Sequence, residues 1–343
     1  MNIFFIFSPK LQNAAIYQCM FEEVNRFLLI TALLYCQCLH SQDSTAMPAN
    51  ISFQVNPVTV QPLKKTHLFS ATAGSLLGYG TGIVALSNTW YKNYPQSSFH
   101  FFNDNKDWLQ VDKAGHIFGA YTAGKMNSEL WRWAGLSGKQ RIWIGGLSGT
   151  AFMTVIEVLD GFSSEWGFSM GDLAADFTGS GIFIAQELIW NEQRVQLKFS
   201  FHRNDYGTPQ LNQRANDLFG SRTLERMLKD YNGQTYWASA NLKSFFKKSG
   251  IPAWLNIAIG YGAEGMFGGT ENRLKDKNGN VIFDRTDIPR YRQWYLAPDI
   301  DLTRIKTKSK FLKTTFFLLK SIKFPTPSIG FSKKGIEWNW LHF

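Results

Sequence analysis

Three consecutive segments between Asp112 and Trp190 read as helices rich in glycine and alanine. Each carries ionisable residues where a bundle helix normally presents apolar ones. The first opens Asp112-Lys113-Ala114-Gly115-His116. The second ends Glu157-Val158-Leu159-Asp160-Gly161. The third opens Ser169-Met170-Gly171-Asp172 and runs through Asp176 and Gly179. A charge taken out of water needs a partner. Helices of this composition can therefore pack only if their acids meet cations or one another, which predicts one polar cluster inside an apolar bundle.

The spacing assigns faces. Asp112 is expected as the N-cap of its helix. His116, Ala120 and Ala123 follow on the same face, and Lys113 lies on a neighbouring stripe. Gly135 to Gly138 breaks the chain, and a second helix runs from Lys139 to Leu159, apolar except for Glu157 near its end. Ser169 caps the third helix, and Asp172 stands at capping-box spacing from it. Asp172, Asp176, Gly179, Phe183 and Gln186 share one face.

Charge then limits the cluster. Asp112, Glu157, Asp160, Asp172 and Asp176 face only two cations in the motif, Lys113 and His116. Five carboxylates cannot all stay ionised together in a low-dielectric site with two cations. Some acids cap helices in solvent, or some are protonated, or a divalent cation such as Mg²⁺, Ca²⁺, Mn²⁺ or Zn²⁺ supplies the charge. Capping accounts for Asp112 and Asp172. Asp160 sits at a helix C-terminus, where the dipole disfavours an anion, so Lys113 or His116 is its expected partner. Glu157 needs a partner in its apolar stretch, and capping does not explain Asp176. The candidate site is therefore His116, Glu157, Asp160 and Asp176, with Asp112, Lys113 and Asp172 around it. A structural network is one reading of it. A catalytic site with His116 as general base is the other. No Gly-x-Ser-x-Gly elbow, His-Glu-x-x-His or phosphate-binding glycine loop accompanies it.

The order Asp-Lys-x-x-His, Glu-x-x-Asp, Ser-x-x-Asp-x-x-x-Asp-x-x-Gly resembles the YfiM-like family of predicted periplasmic lipoproteins. Here it is carried by Asp112, Lys113, His116, Glu157, Asp160, Ser169, Asp172, Asp176 and Gly179, within residues 112–190. VanZ-like membrane proteins are more distantly similar, with glutamine where this chain has Asp160. Neither resemblance implies an established activity.

The flanks point to the cell envelope. Arg26 precedes the apolar run Phe27–Tyr35, and small and polar residues follow to Ser41, the order of a secretory signal. Cleavage after Ser41 is expected, Met20 is a second candidate start, and an uncleaved anchor is the alternative. Cys19, Cys36 and Cys38 all precede that point, so a processed chain has no cysteine. Residues 42–65 read as a proline-punctuated linker. His67–Trp90 contains no Asp, Glu, Lys or Arg and is long enough to cross a bilayer. Its Gly74, Gly78 and Gly82 stripe would let a second backbone approach.

The second half alternates. Strands are expected at 195–201, 255–261, 290–296 and 335–343, with a turn at 276–280. Helices are expected at 221–230, 237–248 and 309–322. From Arg285 onward twelve Lys and Arg stand against four Asp and Glu, in a chain of net charge +10 with 29 Phe, 12 Trp and 12 Tyr. Basic, aromatic-laced sequence suits phosphate-bearing lipid head groups, and no nucleic-acid module accompanies it. The helix over 309–322, apolar with a lysine fringe, would suit a membrane surface.

The expected fold is thus α+β. A Gly/Ala-rich bundle of about four helices (66–194), embedded in or touching a membrane, precedes a basic, aromatic part with antiparallel strands and amphipathic helices (195–343). The expected role is structural or binding at a membrane, with membrane lipids as partners and no nucleic acid. The alternative is an envelope hydrolase or transferase working through the His/carboxylate site.

Overall fold

A computed structural model of the chain describes residues 65–91, 95–136 and 138–342. The expected signal peptide, the alternative start, the three cysteines and nearly all of the expected linker lie outside these residues.

Four long helices come first: α1 (Lys65–Trp90), α2 (Val111–Trp133), α3 (Gly138–Asp160) and α4 (Met170–Trp190). The last three pack against one another, and glycine is what lets them do so. A Cβ on Gly149 of α3 would stand 2.0 Å from the carbonyl oxygen of Ala120 on α2. One on Gly179 of α4 would stand 2.2 Å from that of Ile117. Backbone thus lies on backbone on two sides of α2, in the turns beside His116.

α1 is peripheral. Ala71 is buried with Trp131, Ala134 and Leu136, and the Tyr79 hydroxyl is 2.8 Å from the Ser148 hydroxyl. Phe69, Leu76, Leu77 and Val84 are exposed. The Gly74–Gly78–Gly82 stripe makes no close backbone contact: a Cβ at Gly78 would meet nothing within 4 Å, and Gly74 and Gly82 face the side chains of Leu130 and Phe152. By length and composition both α1 and α3 are apolar enough to cross a membrane. Burial separates them, since 56% of the apolar stretch in α3 is buried against 6% in α1.

The second half is built on a six-stranded antiparallel sheet, in the order β1 (Val195–Phe201), β2 (Gln234–Asn241), β3 (Leu255–Glu264), β6 (Tyr291–Ile300), β7 (Thr326–Ser332), β8 (Gly335–His342). A separate hairpin pairs β4 (Arg273–Lys275) with β5 (Val281–Asp284) around the expected turn. The remaining helices are α5 (Pro209–Phe219), α6 (Thr223–Lys229), α7 (Leu242–Phe245) and α8 (Lys310–Leu319). The expected helix at 237–248 is wrong for most of its length. Trp237, Ser239 and Asn241 point inward and alternate with Ala238 and Ala240, so the period is two and the segment is β2. Only the short α7 follows, capped by the Asn241 side chain. α5 was not expected, although Thr208 caps it, Pro209 opens it, and Leu211, Ala215 and Phe219 form its buried stripe.

The sheet is curled and inverted. Lys198 on β1 reaches Asp299 on β6, past two intervening strands, with Nζ 2.6 Å from Oδ2. His342 on β8 stacks on Tyr295 of β6 at 3.9 Å and meets Trp237 of β2 edge-on. Beyond β1, Phe199 pairs with the backbone of Ser321 and Lys323, just ahead of β7, so the sheet wraps toward its own far side. Buried inside the curl are Gln196, Lys198, Ser239, Asn241, Asn256, Asp299 and Lys323, beside an apolar cluster of Trp237, Ala258, Tyr295 and Ala297. Outside, register aligns Tyr261, Trp294, Phe331 and Ile336 in one row and Ile259, Leu296, Ile329 and Trp338 in the next. Most of these outer side chains are exposed. On β1 and β2 the outer face is covered instead, with Phe199 and Tyr236 packing on Phe118 of α2.

Candidate functional site

The backbone contacts at Gly149 and Gly179 bring the polar faces of α2, α3 and α4 together at one end of the bundle. His116 of α2 lies between acids from both neighbours. Its Nδ1 donates to Asp176 Oδ1 at 3.0 Å. Its Nε2 faces Glu157 Oε1 at 3.6 Å and Asp172 Oδ1 at 3.7 Å. Glu157 and Asp176 are at most 1% exposed.

Lys113, from the neighbouring stripe of the helix, reaches into this group. Its ammonium lies 2.7 Å from Asp104, 2.8 Å from Asp172 and 3.0 Å from Asp112, one carboxylate for each of its three protons. Asp104 comes from the loop before α2. No spacing rule tied that loop to the helices, so the sequence did not single it out. Ser169 joins the two halves: its hydroxyl donates to Asp104 at 2.6 Å, and its backbone N–H donates to Glu157 Oε2 at 3.1 Å.

Three sequence expectations are corrected here. Asp112 is not an N-cap, because Gln110 precedes the helix in left-handed conformation and Asp112 turns to Lys113. Asp172 completes only half of a capping box. Its N–H donates to Ser169 Oγ, but the Ser169 N–H is held by Glu157, which frees the Asp172 carboxylate for Lys113. Asp160 pairs with neither Lys113 nor His116. It accepts a 2.7 Å hydrogen bond from the Tyr91 hydroxyl, a neutral donor in the segment after α1. The structure thus brings together His116, Glu157, Asp176, Asp112, Lys113 and Asp172, adds Asp104, and holds Asp160 nearby through Tyr91.

Burial sets the protonation. It raises Glu157 to about 9 and, against its Tyr91 hydrogen bond, Asp160 to about 7. Asp172 rises to about 7, first through burial and then through its hydrogen bond with Asp104. Asp112 and Asp176 are also raised by burial. Burial alone would lower His116, but the Asp176 hydrogen bond and the charges of Asp172, Asp176 and Glu157 outweigh it and lift the ring to about 10. Lys113, likewise opposed by burial, is held charged by Asp112 and Asp172. Burial is the largest cause for each raised acid, and Asp104, held against burial by Asp172, Lys113 and Ser169, is instead lowered.

A pocket of about 430 Å³ opens onto this group between bundle and sheet. Asp104, Asp107, Asp112, His116, Asp160, Asp172 and Gln234 are in its polar part. Phe102, Trp108, Phe118, Phe152, Met153, Trp166, Met227 and Tyr231 are among its apolar walls. Such a shape takes a ligand with an apolar body and a polar end. Two sets of residues offer donors within 4.8 Å of one another for a cation: His116 with Glu157 and Asp176, and Asp104 with Asp112 and Asp172. The Lys113 ammonium already sits among the second set.

Residues 100–186, which build the whole cluster, match the family model described as predicted periplasmic lipoprotein (DUF2279). No curated protein and no solved structure matches the chain. The matched region covers about a quarter of the chain and contains α2, α3 and most of α4. By that likeness the protein belongs to the cell envelope, in the periplasm and associated with a membrane.

Proposed function

We propose that the protein works as a binding protein at a membrane surface, with the outer face of its sheet toward lipid and its pocket taking an amphipathic ligand. One observation carries this reading: beside the small Trp237–Tyr295 cluster the sheet buries charged and polar side chains, and its outer face is apolar and exposed. Ile257, Ile259, Trp294, Leu296, Phe331, Ile336, Trp338 and Trp340 are exposed, while Lys198, Asp299 and Lys323 are buried. In water that arrangement costs free energy on both faces, and a lipid boundary removes the cost on the outer one. Lys306, Lys308, Lys310 and Lys313, all exposed in and before α8, add a basic fringe suited to anionic head groups. α8 also exposes Phe311, Leu312 and Leu318.

Flotation of the full-length processed chain with vesicles of anionic phospholipid tests the reading. It should float with the vesicles and stay behind without them. Trp294→Ser with Leu296→Ser should weaken binding at least about tenfold, since each buried side chain contributes about 1.5–3 kcal/mol. A chain that stays in solution at low salt would overturn it.

The alternative, a hydrolase or transferase with His116 as general base, draws on the pocket beside the acids. Its difficulty is that both ring nitrogens already face carboxylates. A general base needs a nitrogen within reach of a substrate proton, so the geometry favours binding.

A further inference from the structure

We infer that His116, Glu157 and Asp172 form a site for a first-row divalent ion such as Zn²⁺ or Mn²⁺, with Asp176 as its positioning residue. This lies away from the sheet face proposed to meet lipid but in the pocket proposed to take a ligand, and titration without lipid tests it separately.

The distances are the first argument. The 3.6 and 3.7 Å separations from His116 Nε2 to Glu157 Oε1 and Asp172 Oδ1 are too long for hydrogen bonds. They suit two donors sharing an ion. Donors each about 2.1 Å from a metal, at a tetrahedral angle, lie about 3.4 Å apart, and slightly wider at larger angles.

Unpartnered oxygens are the second argument. Glu157 Oε1 has no hydrogen-bond partner although the residue is 1% exposed, and Asp176 Oδ2 is also unpartnered in a fully buried residue. Glu157 Oε2, by contrast, is held by the Ser169 N–H, which aims Oε1 at His116.

The third argument is the histidine. A carboxylate accepts and does not donate, so Asp176 fixes the proton on Nδ1 and turns the Nε2 lone pair toward Glu157 and Asp172. A lone pair facing two carboxylates is repelled unless a cation lies between them. That cation is either a proton or a metal. Lys113 also holds Asp172 Oδ1, at 2.8 Å, but its three contacts are with Asp104, Asp112 and Asp172, which leaves Glu157 Oε1 to the cation at His116. The imidazole donor favours zinc over calcium or magnesium, and the carboxylate donors suit manganese. The pocket, lined by His116 and Asp172, supplies the entry path.

Calorimetric titration of the full-length processed chain, stripped with chelator, with Zn²⁺ and with Mn²⁺ tests this. Elemental analysis then gives the stoichiometry. One ion per chain is expected. Glu157→Gln should weaken binding at least about tenfold, and Asp176→Asn about 10–100-fold, the usual effect of losing the group that orients a ligating histidine. Should either variant fail to fold, the wild-type chain still decides. Its affinity should rise with pH, up to about tenfold per unit, while the ion displaces the Nε2 proton. No stoichiometric binding of either ion, or binding indifferent to both substitutions and to pH, would overturn the site.

Discussion

His116 and Asp176, sixty positions apart in the chain, share a 3.0 Å hydrogen bond in the middle of the bundle. That contact exists because Gly179, one turn beyond Asp176, lets α4 lie directly on the backbone of α2 at Ile117. The pair ties helix packing to the electrostatics of the site, and either can be perturbed to test the other.

Removing the acid should destabilise the fold. Asp176→Ala leaves a buried imidazole without its acceptor, and breaking one side of such a pair costs about 3–5 kcal/mol. Urea unfolding followed by circular dichroism should show a lower midpoint with an unchanged slope. An unchanged midpoint would mean that the bond contributes nothing.

Forcing the helices apart should do comparable damage. Gly149→Ala places a methyl group where the Ala120 carbonyl oxygen already sits. Neither atom belongs to a flexible side chain, so the backbones must separate, at a cost of about 1–3 kcal/mol or more. Thermal unfolding should register the loss. Gly78→Ala on α1 meets nothing within 4 Å and should be neutral or slightly stabilising, since glycine is a poor helix former.

The cluster's contribution to stability should fall as pH rises. Glu157, Asp160 and Asp172 have folded pKa values of about 9, 7 and 7, above their ordinary 4.5, 3.8 and 3.8. His116, at about 10, lies above its ordinary 6.5. Between those limits these groups bind more protons in the folded chain than in the unfolded one, so their contribution falls with increasing pH, while Lys320, Lys125, Lys323 and His342, lowered by burial to about 6, 8, 8 and 4, act in the opposite sense. The His116 contribution is complete below 6.5 and is lost as pH climbs through about 10. The cost of ionising each raised acid begins above its unfolded value and is complete above its folded one. Asp104, which its partners hold below its usual range, works in the opposite sense and loses its contribution as pH falls through its folded value. From about pH 5 to about pH 9 the melting temperature of the chelator-treated protein should therefore fall more steeply than that of Glu157→Gln, which carries no ionisable group there. Parallel profiles for the two chains would contradict this charge balance.

The buried pair inside the curled sheet gives a test of a different region. Lys198 and Asp299 are each 1% exposed, and Asp299 also accepts from Ser239. Asp299→Ala should cost about 3–5 kcal/mol, because it leaves Lys198 charged and unpaired. Lys198→Met in the same chain should recover part of that loss. Denaturant unfolding of the single and double variants measures the difference.

The sequence made the bundle and most of the cluster legible because helical periodicity and buried charge act locally. Asp176 could not be a cap, so it had to find a partner, and His116 shared the right helix face. Asp104 was illegible because it reaches the site through a loop whose path depends on tertiary packing. Tyr91 carries no charge to mark it as a partner for an acid, yet its phenol satisfies Asp160. In the sheet, alternation placed most strands, but β2 looked helical because its small residues Ala238 and Ala240 suit either state. Alternation also cannot say which face turns inward. The sheet's curl, set by contacts such as Lys198 with Asp299, decides that.

The most direct test of the site is the titration of His116 itself, followed by NMR in the chelator-treated protein. If acids from α3 and α4 surround the ring as described, its pKa should stand far above 6.5, near 10, and drop markedly in Asp176→Asn. A ring that titrates near 6.5 in the wild-type chain, and does not respond to that substitution, would show that the three helices do not meet at one charged site.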